Sequence, residues 1–227
     1  AADFPGSPTR LFLTPSLSPN GDRLIFTRTD GAGGLHLWIS SLSGGAPLRL
    51  TNSESSVEFG GAWSPDGNQF VYLQSAQGKK LLTIARTTGG APPVVLRGTN
   101  QRDDRNMGLS DWSPSGEWIT FFDGMNWNLI SPDGKTSKSL GRIDTPYLVF
   151  SRDGRDLYGI ETKETGNGQR TTSLFSLDVA NLQRRTIKEL DSELKPTSNI
   201  DPGIRFSMAP DGKSFVATTF KPQQDIW

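Results

Sequence analysis

Five short segments carry the same turn at nearly the same phase: Ser18-Pro19-Asn20-Gly21, Ser64-Pro65-Asp66-Gly67, Ser113-Pro114-Ser115-Gly116, Ser151-Arg152-Asp153-Gly154 and Ala209-Pro210-Asp211-Gly212. Their glycines are separated by 46, 49, 38 and 58 residues. The second, Ser64-Pro65-Asp66-Gly67, shows the chemistry of a tight reversal: proline presets φ, aspartate tolerates the bridge region, and glycine takes the left-handed position. A turn of this kind between apolar runs is a hairpin signal, and its return every ~40–50 residues leaves room for about four short strands per repeat.

The second repeat shows the four strands most clearly. Phe59-Gly60-Gly61-Ala62-Trp63 reads as the first. Gln69-Phe70-Val71-Tyr72-Leu73, apolar on both faces, reads as a second strand sandwiched between neighbouring sheets. Ser75 to Lys79 makes the next loop. Leu81-Leu82-Thr83-Ile84-Ala85, a Gly89-Gly90 turn and Val94-Val95-Leu96 complete the antiparallel set. Second strands recur at Arg23 to Thr27, Trp118 to Phe122, Asp156 to Ile160 and Ser214 to Thr218. Third strands recur around Leu35 to Ser40, Trp127 to Ile130, Ser173 to Asp178 and, cut short, Asp225-Ile226-Trp227.

A sixth copy of the turn, Ser131-Pro132-Asp133-Gly134, lies only 18 residues after Gly116. That is too few for four strands of about five residues each. It occupies the place of Gly44-Gly45 and Gly89-Gly90 in the first two repeats, so it belongs before the outermost strand of the third. The predicted fold is all-β: one β-propeller domain over 1–227, with four-stranded blades at about 10–52, 57–98, 107–141, 146–190 and an incomplete one at 203–227. Each first strand ends in a large apolar residue, namely Leu17, Trp63, Trp112, Phe150 or Met208, expected to pack between adjacent blades.

Composition narrows the function. Lys+Arg 24 against Asp+Glu 24 leaves a formal charge of zero, without the basic field that drives binding to nucleic acid or anionic membranes. No nucleic acid partner is expected. The absence of cysteine excludes disulfides, thiolate metal sites and cysteine nucleophiles. No apolar run approaches the ~18–20 residues of a membrane span, so a soluble segment without membrane insertion is expected. The start, Ala1-Ala2-Asp3-Phe4-Pro5-Gly6, lacks the regions of a signal peptide and reads as a cleaved or trimmed end.

An apolar residue, Ser-Pro-Asp-Gly, a β-rich segment, a third strand and a Gly-Gly turn together resemble the TolB-type WD-like propeller repeat, over nearly the whole chain. The resemblance implies a bacterial protein, placed in the periplasm or otherwise outside the cytoplasm, with a cytoplasmic location left open. Propellers of this type scaffold periplasmic complexes, form the sensory end of regulators and kinases, or cap peptidases. The ending Ser214-Phe215 through Asp225-Ile226-Trp227 is most similar to the final blade of the regulator-associated group. Members of the family have six or seven blades, which implies a partial propeller here, its exposed edges covered by other residues or another molecule; the alternative is that Asp3 to Arg10 closes the last blade. Open edges of such a piece invite self-association.

A search for catalytic chemistry finds little. His36 is the only histidine, which rules out two-histidine metal motifs. It sits in the apolar run Leu35-His36-Leu37-Trp38 and reads as a satisfied strand residue, with no Gly-x-Ser-x-Gly elbow to supply a nucleophile. Gly31-Ala32-Gly33-Gly34 lacks the helix and Lys-Ser/Thr pair of a phosphate loop. Glu161 with Glu164, or Asp103 with Asp104, would serve glycoside chemistry only at a separation that sequence does not measure. The stretches Lys163 to Thr172 and Asp191 to Asp201, rich in small polar residues, read as long loops.

Loops held by a rigid scaffold are where binding concentrates. Connections between blades, and those between second and third strands, share one face of a propeller. This gathers the charged loop Gln101 to Asn106 with Ser53 to Glu58, Asn126-Trp127, Asp144 to Tyr147, Glu164 to Arg170 and Ile200 to Arg205. The candidate ligand-binding residues are Glu58, Arg102, Asp103, Asp104, Arg105, Asn126, Trp127, Tyr147 and Arg205. The expected function is non-catalytic binding of a protein or small ligand on this face, as a sensory or interaction domain of a larger bacterial protein, without cofactor or metal. The alternative is a propeller that serves an enzyme, as a serine peptidase gate or a sugar-processing hydrolase or lyase.

Overall fold

The computed structural model describes residues 15–29, 34–51, 56–76, 78–89, 91–98, 107–145, 147–164, 170–190, 206–209 and 214–217. The chain divides into two units, 1–104 and 105–227. The first contains the sheet β1 (Ser16–Leu17), β2 (Arg23–Thr29), β3 (Leu35–Ser41) and β4 (Leu48–Arg49), then the sheet β5 (Ser56–Trp63), β6 (Gln69–Ala76), β7 (Lys79–Arg86) and β8 (Val94–Gly98). The second contains β9 (Met107–Trp112), β10 (Ile119–Asp123), β11 (Trp127–Ile130) and β12 (Ser137–Gly141), then β13 (Leu148–Phe150), β14 (Asp156–Glu164), β15 (Arg170–Asp178) and β16 (Arg184–Leu190). A hairpin of β17 (Phe206–Met208) and β18 (Phe215–Ala217) follows. Within each sheet every strand pairs antiparallel with its neighbours in sequence, and no helix occurs among the described residues.

The recurrent turn is one hydrogen-bonding device used repeatedly. In the β1–β2, β5–β6, β9–β10 and β13–β14 hairpins the serine carbonyl accepts the glycine amide, and its own amide donates to the carbonyl five residues on. The serine hydroxyl accepts that same residue's amide: Arg23 and Gln69 and Trp118 at 2.9 Å, Asp156 at 3.0 Å. The side chain thereby holds an amide that the reversal would otherwise leave unpaired. Glycine is needed at the fourth position, where Gly67 has φ +70°. The sixth copy joins β11 to β12 with the same pattern, Thr136 donating to Ser131 Oγ at 3.0 Å.

Alternation along the strands puts apolar rows on facing sheets. In the first unit Ile25 and Leu37 pack against Trp63, Phe70, Tyr72 and Ala85, with Trp63 and Phe70 edge to face at 5.8 Å. In the second, Trp127, Leu129 and Leu140 pack against Leu148, Phe150, Leu157, Phe175 and Leu177. Ile160 and Leu174 then meet Met208 and Phe215 of the hairpin. Fully burying a side chain of this size stabilises the fold by roughly 1.5–3 kcal/mol.

Three of the large apolar residues that close first strands pack on the preceding sheet: Trp63 on the first, Phe150 on the third, Met208 on the fourth. Leu17 departs from the expectation and is 55% exposed. It belongs to the first sheet and faces away from the second, and no earlier sheet precedes it among the described residues.

Two further differences follow from side-chain volume and pairing. The first strand of the second repeat is bulged between Phe59 and Ala62, because the Phe70 ring lies where a Cβ on Gly61 would stand, 1.8 Å from its Cζ. The loop expected from Lys163 to Thr172 is shorter, since pairing runs on to Glu164 and Arg170 and the hydroxyls of Thr162 and Thr172 meet at 3.1 Å. The expected loop Asp191 to Asp201 lies outside the described residues.

The outermost strands β8, β12 and β16 each carry one register shift against their neighbour, which leaves Leu96, Leu140 and Ile187 as the extra residues. A bulge interrupts the regular row of amides and carbonyls that an edge offers to another chain.

Candidate functional site

In the second unit, strand direction separates two ends. The serine turns after β9, β11 and β13 lie at one; the β10–β11 hairpin and the β12–β13 connection lie at the other. This second end brings together three of the residues predicted from sequence.

The β10–β11 hairpin is held from within by Asp123. Its Oδ1 accepts the amides of Met125 at 2.9 Å and Asn126 at 2.8 Å, while Oδ2 accepts Asn128 Nδ2 at 3.0 Å. Asn128 Nδ2 also donates to the Asn126 carbonyl at 2.9 Å. A carboxylate accepting local amides in this way fixes a turn that glycine, here Gly124 at φ +100°, makes sterically possible. Asn126 is therefore partly buried with its backbone fixed, and Met125 at the tip is 68% exposed.

Trp127 supports this end from below. It is 2% exposed, tilted against Phe122 at 5.6 Å between ring centres, and its Nε1 donates to the Thr145 carbonyl at 3.2 Å. Thr145 Oγ1 in turn donates to the Tyr147 carbonyl at 3.0 Å. The ring of Tyr147 packs beside Ile160 and Leu174. The chain Trp127–Thr145–Tyr147 thus ties the hairpin to the β12–β13 connection, with Asn126 and Met125 as its outer surface.

Glu58 lies in the first unit and is buried. Its Oε2 is 3.3 Å from His36 Nδ1, both side chains being 1% exposed, and accepts the hydroxyl of Thr51. Thr51 Oγ1 also accepts the Leu37 amide at 3.1 Å, so the cluster links β3 to β5. Burial first and the Glu58 charge second push the Tyr72 hydroxyl up from its ordinary range. His36 is a hydrogen-bonded strand residue opposite Arg28. Arg102, Asp103, Asp104, Arg105 and Arg205 lie outside the described residues.

Glu161, considered from sequence beside Glu164, is 2% exposed and receives Arg184, Lys163 Nζ at 3.0 Å and Ser173 Oγ at 3.5 Å. Arg184 reaches it by lying over the Phe175 ring, 3.8 Å from the centre. A carboxylate so paired ties together three strands of one sheet, β14, β15 and β16. Among the described residues no group of three or more His, Cys, Asp or Glu could hold a metal ion.

Met125, Asp123 and Thr145 were not singled out from sequence. Asp123-Gly124 followed by an apolar residue was the available sign of a fixed hairpin.

No protein-family model matches the chain. Among curated proteins, an uncharacterised protein of Escherichia coli K12, YidR, is 22% identical over 107 residues, 47% of this chain and 24% of that protein. Among solved structures, TolB from Acinetobacter baumannii is 16% identical with a TM-score of 0.68, over 92% of this chain and 49% of that one. Oligogalacturonate lyase, solved in complex with manganese, is 14% identical with a TM-score of 0.68, over 92% and 58%. The β-propeller domain of the Trilobed protease from Pyrococcus furiosus, which has an open velcro topology, is 10% identical with a TM-score of 0.53, over 78% and 57%. The fold is that of a β-propeller, and TolB-type propellers are among its structural neighbours. The chain spans about half the length of the Acinetobacter TolB. These neighbours include enzymes as well as TolB.

Proposed function

We propose that this chain is a non-catalytic β-propeller segment that binds a protein at the end of the second unit formed by the β10–β11 hairpin and the β12–β13 connection. The observation that carries the reading is Met125: an apolar side chain, 68% exposed, on a backbone whose amide donates a hydrogen bond to Asp123 Oδ1. An exposed, adaptable side chain on a prearranged backbone loses little entropy on binding, and methionine suits apolar recognition surfaces. Asn126 follows it in the same fixed hairpin, which Trp127 and Thr145 tie to the connection carrying Tyr147. Glu58, buried against His36 and Thr51 in the first unit, is not part of this surface, and Arg102, Asp103, Asp104, Arg105 and Arg205 lie outside the described residues.

The rival reading, an enzyme-associated propeller, draws on the likeness to oligogalacturonate lyase and to the propeller of a protease. The two are separated by incubating the protein with oligogalacturonate and manganese, and separately with a mixed peptide library. The binding reading expects the substrates unchanged at micromolar protein. Formation of unsaturated sugar products or cleaved peptides, lost on substitution of Glu161 or His36, overturns it.

A further inference from the structure

Sulfur in this chain is confined to thioethers, for it holds three methionines and no cysteine. The three differ in their access to water. Met107 in β9 is 3% exposed and Met208 is half-buried against Ile160 and Leu174, whereas Met125 at the hairpin tip is 68% exposed. A buried thioether meets a dissolved oxidant only when the fold opens around it, while an exposed one reacts from the native state. The hairpin that carries Met125 does not depend on its sulfur. The amides of Met125 and Asn126 and the side chain of Asn128 all donate to the Asp123 carboxylate, and the Asp123 amide donates to the Asn126 carbonyl at 3.1 Å.

We propose that Met125 is an oxidation site whose sulfoxide switches off binding at the β10–β11 end, a step that rests on the binding reading above. The oxidant is a peroxide. The thioether sulfur attacks one peroxide oxygen, an S–O bond forms as the O–O bond breaks, and sulfur gives up two electrons. The second oxygen leaves as water, taking the proton that the first one carried. The product replaces an apolar, adaptable side chain by a polar and chiral one. A partner that buried it would have to strip the S–O dipole of water, which costs free energy unless a donor is supplied. Because the hairpin is closed by Asp123 and not by the thioether, oxidation alters the surface and leaves the fold. Methionine sulfoxide reductases reverse the step, the oxygen leaving as water while two thiols become a disulfide.

The test is treatment of the folded chain with hydrogen peroxide, followed by peptide mass spectrometry and a competition assay. The peptide with Met125 is expected to gain one oxygen at least about tenfold faster than that with Met107, with thermal unfolding unchanged. In bacterial extract, excess untreated wild-type protein should suppress the adducts of a benzoylphenylalanine probe at position 125. Peroxide-treated protein should not, and repair by a methionine sulfoxide reductase should restore suppression. A chain with Met107→Leu and Met208→Leu, swaps that conserve volume, should lose suppression on treatment as the wild type does. The wild-type arms decide where that double variant folds poorly. Equal oxidation rates at Met107 and Met125, full suppression by peroxide-treated protein, or a double variant that peroxide leaves unaffected would overturn the switch and leave binding at this end standing. Absence of any suppressible adduct would overturn the binding reading and the switch together.

Discussion

Ser64 Oγ donates to Asp66 Oδ1 at 2.5 Å while accepting the amide of Gln69 at 2.9 Å, so one buried hydroxyl completes the turn and orients the aspartate within it. Ser131 and Ser151 repeat the donation to Asp133 at 2.6 Å and to Asp153 at 2.7 Å. In the first turn Asn20 stands at that position, and Ser18 donates instead to Asp22 at 3.1 Å. The arrangement survives a change of acceptor because any nearby carboxylate can serve.

Burial decides how much each copy contributes. Ser64 is 3% exposed, whereas Ser131 lies at an exposed edge. Ser64→Ala leaves the Gln69 amide unpaired away from water and is expected to cost about 1–3 kcal/mol; Ser131→Ala, whose amide finds water, should cost well under ~1 kcal/mol. Denaturant unfolding of the two variants checks the order, and equal losses would contradict it.

The turn aspartates also set the acid limb of stability. The Ser64 hydroxyl and the Asn68 amide hold Asp66 below its usual value, and Ser151 and the Arg155 amide do the same for Asp153. A depressed folded value stabilises above the unfolded one and is lost as pH falls below about 4. Asp66→Asn with Asp153→Asn should flatten the fall in melting temperature between pH 4 and 2.5. An unchanged acid limb would show that the turns do not govern it.

The architecture was largely legible because its signal is local. Ser-Pro-Asp-Gly encodes the reversal within six residues, and the place of the Ser131 turn before an outer strand followed from spacing alone. Pairwise packing was not legible. Nothing around Gly61 announces that Phe70 fills its side-chain space, and nothing around Leu17 announces that it has no preceding sheet to cover it. The candidate site was half legible for the same reason. Topology places Asn126, Trp127 and Tyr147 at one end, but Trp127, a candidate ligand-binding residue by its sequence, is buried beneath it, because a tryptophan beside a loop carries no sign of which way its ring turns. Glu58 was read as a loop residue, and its burial depends on Thr51 and His36, which are 7 and 22 residues away.

Gly159 is a sharper test of packing than any of the cores. A Cβ there would stand 2.3 Å from Phe175 Cζ, and the Phe175 ring also supports Arg184. Gly159→Ala is expected to destabilise the second unit by about 1–3 kcal/mol through overpacking. Adding Phe175→Leu should return part of the loss, which a thermal unfolding cycle measures. Additive losses would show that the two residues do not compete for the same space.

Arg23 joins the first two sheets. Its guanidinium lies 5.0 Å from the centre of the Trp63 ring and donates to the Gly67 carbonyl at 3.2 Å. Arg23→Ala should cost about 0.5–2 kcal/mol from the lost stacking and hydrogen bond, and Arg23→Lys most of the same, since an ammonium cannot stack and donate sideways at once. Full retention of stability by lysine, read from urea midpoints, would assign the effect to charge alone.

The binding face is tested most directly by cross-linking from two ends of one sheet. A photoreactive benzoylphenylalanine replaces Met125 in one protein and Lys135, whose side chain is 82% exposed in the opposite turn, in another. In illuminated bacterial cells producing the chain, position 125 is predicted to give discrete adducts that excess unlabelled wild-type protein suppresses and unlabelled Met125→Glu protein does not. Adducts of equal yield from both positions, or from position 135 alone, would contradict binding at the β10–β11 end.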